Sequence, residues 1–230
     1  MIIFAVGSAS SIGEKVLHLL SKSKYKIIAT YHKKKPKLLL KNPNISIEKM
    51  SLNSNSSLKK IIKKHNLHNN KITLLNFSVI KKNRLLIDED LESLNKSYKI
   101  NISGHVGLIK TFLPIMVKNN FGRIIHFSSS KVIDGEVGTA VYSISKSYLY
   151  GFSSTLAKEY GRFNITSNIL SLGYFQSHLW NELSSKIKKE RIKDIPSKKL
   201  GSLNNISNAI AFIINSDFVN RSVIKIDGGI

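Results

Sequence analysis

The residues of this chain whose types and spacing could do chemistry lie between positions 101 and 146. Tyr142-Ser143-Ile144-Ser145-Lys146 sets a phenol and an ammonium four residues apart, on one face of any helix that contains them. An ammonium beside a phenol favours phenolate and draws the phenol pKa toward neutrality, each unit being worth about 1.4 kcal/mol. A phenol so tuned can hand a proton to a carbonyl oxygen while hydride arrives at the carbon. A bare Tyr-x-x-x-Lys also arises by chance, so its company decides. Ser128-Ser129-Ser130 closes an apolar run, and Ser129 precedes Tyr142 by thirteen residues, enough chain for a following helix to bring Tyr142 back beside it. Asn101, with Gly104 close behind, offers an amide that can place a water or a backbone group.

Short β-rich runs alternate with helical patterns along the whole chain and supply the frame for these groups. Strands are expected at Ile2–Val6, Tyr25–Tyr31, Ile45–Ile47, Ile72–Asn76, Arg123–Phe127, Ile165–Leu170 and Val223–Ile226. Helices are expected at Ile12–Leu20, around Leu58–Ile62, over 88–118 with irregularities at Gly104 and Pro114, and over 139–161 and 203–215. Seven buried strands with helical crossovers predict a doubly wound α/β sandwich, a seven-stranded parallel sheet with helices on both faces. The whole chain, 1–230, reads as one domain. The polar stretch 174–196 follows the sixth strand and carries the only Trp, Trp180, where a substrate lid would sit.

The first strand runs into Gly7-Ser8-Ala9-Ser10-Ser11-Ile12-Gly13. Small residues here let backbone approach a pyrophosphate, whose charge the helix N-terminus then meets, although a Ser/Gly turn also serves as plain capping. The second strand ends at Tyr31-His32-Lys33-Lys34 with no acid to hold a ribose 2′-hydroxyl. A carboxylate would repel a 2′-phosphate, so NADP(H) is favoured over NAD(H), with part of the Lys signal owed to the general Lys excess.

Together these features make the chain, over essentially its whole length, resemble a short-chain dehydrogenase/reductase, most similar to the 3-oxoacyl-[acyl-carrier-protein] reductase subgroup. The resemblance implies a Rossmann-type fold and a tetrad of Asn101, Ser129, Tyr142 and Lys146. Tyr142 would be the proton donor and Ser129 would hold the substrate carbonyl. Lys146 would hold the nicotinamide ribose, and Asn101 a relay water. Gly122-Arg123-Ile124-Ile125, Asn164-Ile165-Thr166-Ser167-Asn168 and Asp227-Gly228-Gly229 also match family segments. Cofactor contacts carried over by position are Gly7, Ser10, Ser11, Ile12, Gly13, His32, Lys33, Lys34, Ser51, Asn76, Phe77, Ser78, Gly173 and Ser177. Ser130, His178 and Trp180 are candidates for the substrate. The chain departs from the family pattern at Val6, Ser11, Ser51, Phe77-Ser78-Val79, Leu172 and Ser177, and a side chain at Val79 stands where Gly normally admits the ribose.

Lys plus Arg number 36 against 14 Asp plus Glu, a formal charge of +22. Base composition accounts for a dispersed Lys excess, as in Lys59, Lys60, Lys63 and Lys64, and no aromatic-interleaved basic stripe marks a nucleic-acid binder. The charge also suits an acidic acyl carrier protein as substrate donor. The 42% hydrophobic content excludes a disordered polycation, and the absence of Cys excludes thiolate chemistry and disulfides. No stretch is expected to reach the roughly 20 apolar residues of a membrane span, no metal-ligand spacing is evident, and a cytoplasmic setting is expected. His105 and His126 read as satisfied structural residues. The reading is an NADPH-dependent carbonyl reductase acting on a 3-oxoacyl thioester or, alternatively, a nucleotide-sugar or secondary-metabolite ketone. The rival is a cofactor-poor family member serving as a binding subunit. The family resemblance also implies a homotetramer or homodimer, with helices 88–118 and 139–161 as interfaces.

Overall fold

A computed structural model describes residues 1–52 and 54–230. β1 (Ile2–Val6) is buried at every position, as a central strand covered on both faces must be. Its side chains divide by parity. Ile3 and Ala5 join one core layer, while Ile2, Phe4 and Val6 join the other. The chain then passes through α1 (Ser11–Leu20), β2 (Lys26–Tyr31), β3 (Ile45–Lys49), α2 (Asn55–Lys64) and β4 (Ile72–Asn76). The second half supplies α3 (Leu91–Ser97), α4 (Gly104–Lys118), β5 (Gly122–Ser129), α5 (Lys131–Asp134) and α6 (Ala140–Tyr160). It ends with β6 (Ile165–Leu172), α7 (His178–Asn181), α8 (Ser185–Asp194), α9 (Leu203–Asn215) and β7 (Val223–Ile226).

The seven strands pair in the order β3-β2-β1-β4-β5-β6-β7, all parallel, the expected doubly wound Rossmann-type sheet. Strand order reverses between β1 and β4, so crossovers leave on opposite faces there and open a crevice at the carboxyl ends of the strands. α1 and α9 cover one face through Val16, Leu17, Leu20, Ile206, Ile210 and Ile213. On the other face Leu58, Ile61 and Ile62 of α2, with Leu108, Phe112 and Met116 of α4, close over Phe4. Phe4 and Phe112 are fully buried with ring centres 4.8 Å apart.

Two expectations need correction. The run Leu91–Lys118 is long and apolar enough, by length and composition, to cross a membrane. Here it lies along the sheet as a core helix, with Leu108, Ile109, Phe112, Ile115 and Met116 buried. Its irregularity is a π-helical stretch, Tyr98–Ser103, which ends at Gly104, whereas Pro114 stays inside α4. A π-turn adds a residue to the turn and rotates the helix beyond it, a device that recurs at functional sites. On α6, Leu149 and Leu156 belong to the core of this chain.

Candidate active site

The carboxyl ends of the strands frame a cavity of about 390 Å³. Its first wall is the turn after β1. Gly7 holds φ +70°, and a Cβ there would stand 2.5 Å from the Ser78 backbone nitrogen, so the turn after β1 and the segment after β4 interlock. Ser10 caps α1, its Oγ accepting from the Gly13 N–H at 3.1 Å, and a Cβ on Gly13 would meet that oxygen. Ser10, Ser11 and Ile12 thereby present the positive end of α1 to the cavity. This close-approach backbone at a helix N-terminus fits the pyrophosphate of a dinucleotide.

The opposite wall carries the hydroxyls of Ser129 and Tyr142 and the Lys146 ammonium. Ser129 ends β5, and Tyr142 from the first turns of α6 shares a hydrogen bond with its hydroxyl. Lys146, one turn on, donates to the Phe127 carbonyl at 2.8 Å. Burial draws the Lys146 ammonium down to about 8. Burial raises the Tyr142 phenol above its ordinary value, and the Glu136 charge pushes the same way. Only the Ser129 hydrogen bond works in the lowering direction. The ammonium-lowered phenol expected from the spacing is therefore not what this geometry gives: burial dominates at Tyr142, and the Lys146 ammonium is turned to a strand carbonyl.

Asn101 sits one layer back, in the π-turn, rather than in a regular helix. Its Oδ1 accepts from the Ile80 N–H and its Nδ2 donates to the Ile80 carbonyl, both at 2.8 Å. Its own carbonyl accepts from Tyr148 Oη at 3.1 Å. Asn101 thus clamps the segment after β4, whose Val79 and Lys81 line the cavity. Asn76 ends β4 with Oδ1 accepting from the Ser78 N–H at 2.9 Å. Its Nδ2 donates to His105 Nδ1 at 2.8 Å, and a hydrogen-bonded chain continues inward: His105 Nε2 to His126 Nδ1 at 2.9 Å, His126 Nε2 to Ser167 Oγ at 3.0 Å, and Ser167 to Ser153 at 2.9 Å. Both imidazoles are buried within it. Burial, with the Lys146 charge, holds His126 at about 3, and burial with His126 and Lys146 holds His105 well below its ordinary value.

Of the expected contacts, Ser10, Ser11, Ile12, Asn76, Phe77, Ser129, Ser130, Tyr142, Lys146, Gly173, Ser177 and Trp180 line one cavity. Gly7, Gly13 and Ser78 lie behind its wall. Phe77 packs on Phe127 with ring centres 4.5 Å apart and forms the floor. His32, Lys33 and Lys34 are exposed past the end of β2, and Ser51 lies just after β3, all outside the cavity. His178 is not brought to the wall by its side chain. That ring is 79% exposed and meets Glu182 at 2.9 Å, while its backbone N–H donates to Ser11 Oγ at 3.1 Å. Trp180 is buried against Tyr174, ring centres 5.7 Å apart. Lys81, Lys131, Glu136, Tyr174 and Arg191 also line the cavity. No spacing in the sequence marks them, since they arrive from separate segments. Among the described residues no group of three or more His, Asp or Glu is placed to hold a metal.

Comparison with known proteins agrees with this architecture. A family model described as enoyl-(acyl carrier protein) reductase matches residues 6–230. The chain is 29% identical over 183 residues to the 3-oxoacyl-[acyl-carrier-protein] reductase FabG of Aquifex aeolicus, which covers 78% of this chain and 74% of that protein. It is 31% identical over 158 residues to the FabG protein of Buchnera aphidicola subsp. Baizongia pistaciae, covering 68% of this chain and 64% of that protein. Among solved structures, ElxO with NADP bound superposes with a TM-score of 0.87 at 24% identity, over 99% of this chain and 97% of that one, a likeness of fold. With the family model spanning nearly its full length, the chain belongs to the short-chain dehydrogenase/reductase family and within it is similar to the 3-oxoacyl-[acyl-carrier-protein] reductases.

Proposed function

We propose that this chain reduces a ketone to a secondary alcohol, with Tyr142 as proton donor and NADPH as the preferred reductant. The observation that carries the reading is the Tyr142–Ser129 hydroxyl pair in the wall of a cavity whose other end is the α1 N-terminus. The chemistry a bound reduced nicotinamide supplies is a hydride delivered to the ketone carbon. Everything else falls to the chain. Two hydroxyls aimed at one oxygen hold a carbonyl, and they stabilise the alkoxide as it forms. The Tyr142 phenol stays protonated in the ground state, because burial and Glu136 disfavour phenolate, and that is the form which gives its proton to the carbonyl oxygen. Lys146 fixes the α6 face against β5 through Phe127 and lends positive charge to a ribose beside it. The first turn of α1 holds the pyrophosphate, and the acid-free end of β2, with exposed His32, Lys33 and Lys34, supports NADPH over NADH.

A 3-oxoacyl thioester is the substrate suggested by the relatives' names, and the +22 charge would steer an acidic carrier toward the site. The test is Tyr142→Phe: turnover with a 3-oxoacyl thioester should fall by at least about a hundredfold, with NADPH binding retained by fluorescence titration. An active Tyr142→Phe protein would end this mechanism. A second reading, a binding subunit without turnover, is favoured by Phe77 and Val79, whose side chains occupy the cofactor side of the cavity. It predicts no saturable NADPH binding by the parent chain.

A further inference from the structure

Three cations converge on the end of the cavity that holds Tyr142. Lys81, just after β4, has its Nζ 5.0 Å from the Tyr142 ring centre and 3.8 Å from Glu136 Oε2. Arg191, on α8, places Nη2 2.5 Å from Glu136 Oε1, with its guanidinium 5.2 Å from the Tyr174 ring centre. Lys131, at the start of α5, stands 5.6 Å over that same ring. All of these line the one cavity. Glu136 is the carboxylate between them, and the cavity's other acid, Glu182, is turned to His178. Three positive charges therefore share one negative charge.

The chain-wide Lys excess does not explain this arrangement. The side chains come from three separate segments, and they are withdrawn from solvent: Lys81 is 19% and Arg191 24% exposed, against 65% for Lys64 in its surface pair. Charge in such a setting interacts strongly and is costly to leave uncompensated. Burial, and next to it the Arg191 charge opposing Glu136, pull the Lys81 ammonium below its ordinary value. The dinucleotide's own phosphates do not answer this excess, since their place is the α1 end of the cavity.

We propose that Lys81, Arg191 and Lys131 form an anion subsite, and that the ketone reduced at Tyr142 carries a carboxylate or phosphate a few bonds from its carbonyl, an oxo acid or oxo phosphate in place of the uncharged 3-oxoacyl thioester that the relatives' names suggest. The ketone in this statement rests on the reductase reading; the anion does not. Glu136 holds Arg191 and Lys81 toward each other, and the incoming anion accepts from both, with Lys131 completing the field. The short span from Lys81 to the Tyr142 ring sets the distance between the two functional groups of the substrate.

Trp180, the single Trp of the chain, packs on the Tyr174 ring that Lys131 and Arg191 flank, so its fluorescence reports on this subsite without turnover. The full chain is titrated with acetoacetate and with dihydroxyacetone phosphate, each against its neutral counterpart, methyl acetoacetate and dihydroxyacetone. An anion is expected to bind about tenfold or more tightly than its neutral partner, and the arm that shows it identifies carboxylate or phosphate. Lys81→Met should bring the ratio to within about twofold, Arg191→Lys should keep most of it, and Lys64→Met should leave it unchanged. Equal binding of anion and neutral partner, no saturable binding of any probe, or an unchanged ratio in a folded Lys81→Met protein would overturn the subsite. Failure of the reductase reading looks different: no ketone consumes NADPH while the anion preference remains.

Discussion

Acid should weaken this protein earlier than its carboxylates alone would allow, because two buried imidazoles sit neutral in the native state. His126 titrates at about 3 in the fold against an ordinary 6.5. Between those values the unfolded chain binds a proton that the native chain refuses, so stability falls as pH drops below 6.5 and is untouched above it. At about pH 5 the gap is roughly 1.5 units, which makes the loss from His126 about 2 kcal/mol relative to neutral pH. His105, held well below its ordinary value, adds in the same direction. The perturbation that isolates the effect is His126→Gln, which keeps an acceptor for His105 and a donor for Ser167 but cannot titrate. Urea melts of parent and variant at about pH 7 and about pH 5 give four stabilities. The parent should lose about 2 kcal/mol more than the variant between the two conditions. Equal losses would show that the imidazoles charge as freely in the fold as outside it, and the reasoning from burial would fail.

Other outcomes rest on the same geometry. Gly7→Ala forces a Cβ to 2.5 Å from the Ser78 nitrogen at φ +70°, so thermal melts should show a loss of more than about 1 kcal/mol, and NADPH affinity should drop with it. Phe112→Ala removes a ring packed at 4.8 Å on Phe4 and should cost roughly 3–5 kcal/mol by urea titration. Because Lys146 loses its proton near 8, kcat/KM for ketone reduction should decline as pH rises through that value; Lys146→Arg, which stays charged, should show no such decline.

What was legible in the sequence was whatever is local. β1, β4, β7 and α9 have the expected bounds because continuous apolar runs and 3.6-residue periodicity are properties of a single segment. Tyr142 and Lys146 share a helix, and Ser129 is a short connection away. Gly104 marked the end of the irregular stretch, but its π form at Tyr98–Ser103 was not legible, since one added residue barely disturbs an apolar pattern, and the second irregularity expected at Pro114 lies inside α4. The Lys81, Glu136 and Arg191 cluster was invisible for a different reason. Its members meet only once β4, α6 and α8 are set around the crevice, and a Lys-rich chain hides one meaningful Lys among many. The same holds for His105 and His126, which different elements bring together.

The interior chain that begins at Asn76 has a sense. The Ser78 N–H fixes the Asn76 amide so that its NH₂ faces His105 Nδ1, which must then be bare. A neutral His105 therefore carries its hydrogen on Nε2 and gives it to His126 Nδ1, and His126 in turn gives from Nε2 to Ser167, whose hydroxyl also pairs with Ser153. From Asn76 as far as Ser167 the hydrogens point away from the cavity floor toward β6. Asn76→Asp would preserve size and lose that polarity, because a carboxylate has no hydrogen to offer Nδ1. Both rings would then have to exchange tautomers together, and the change beneath the cavity would be read at Ser167, on β6 along the same face of the sheet.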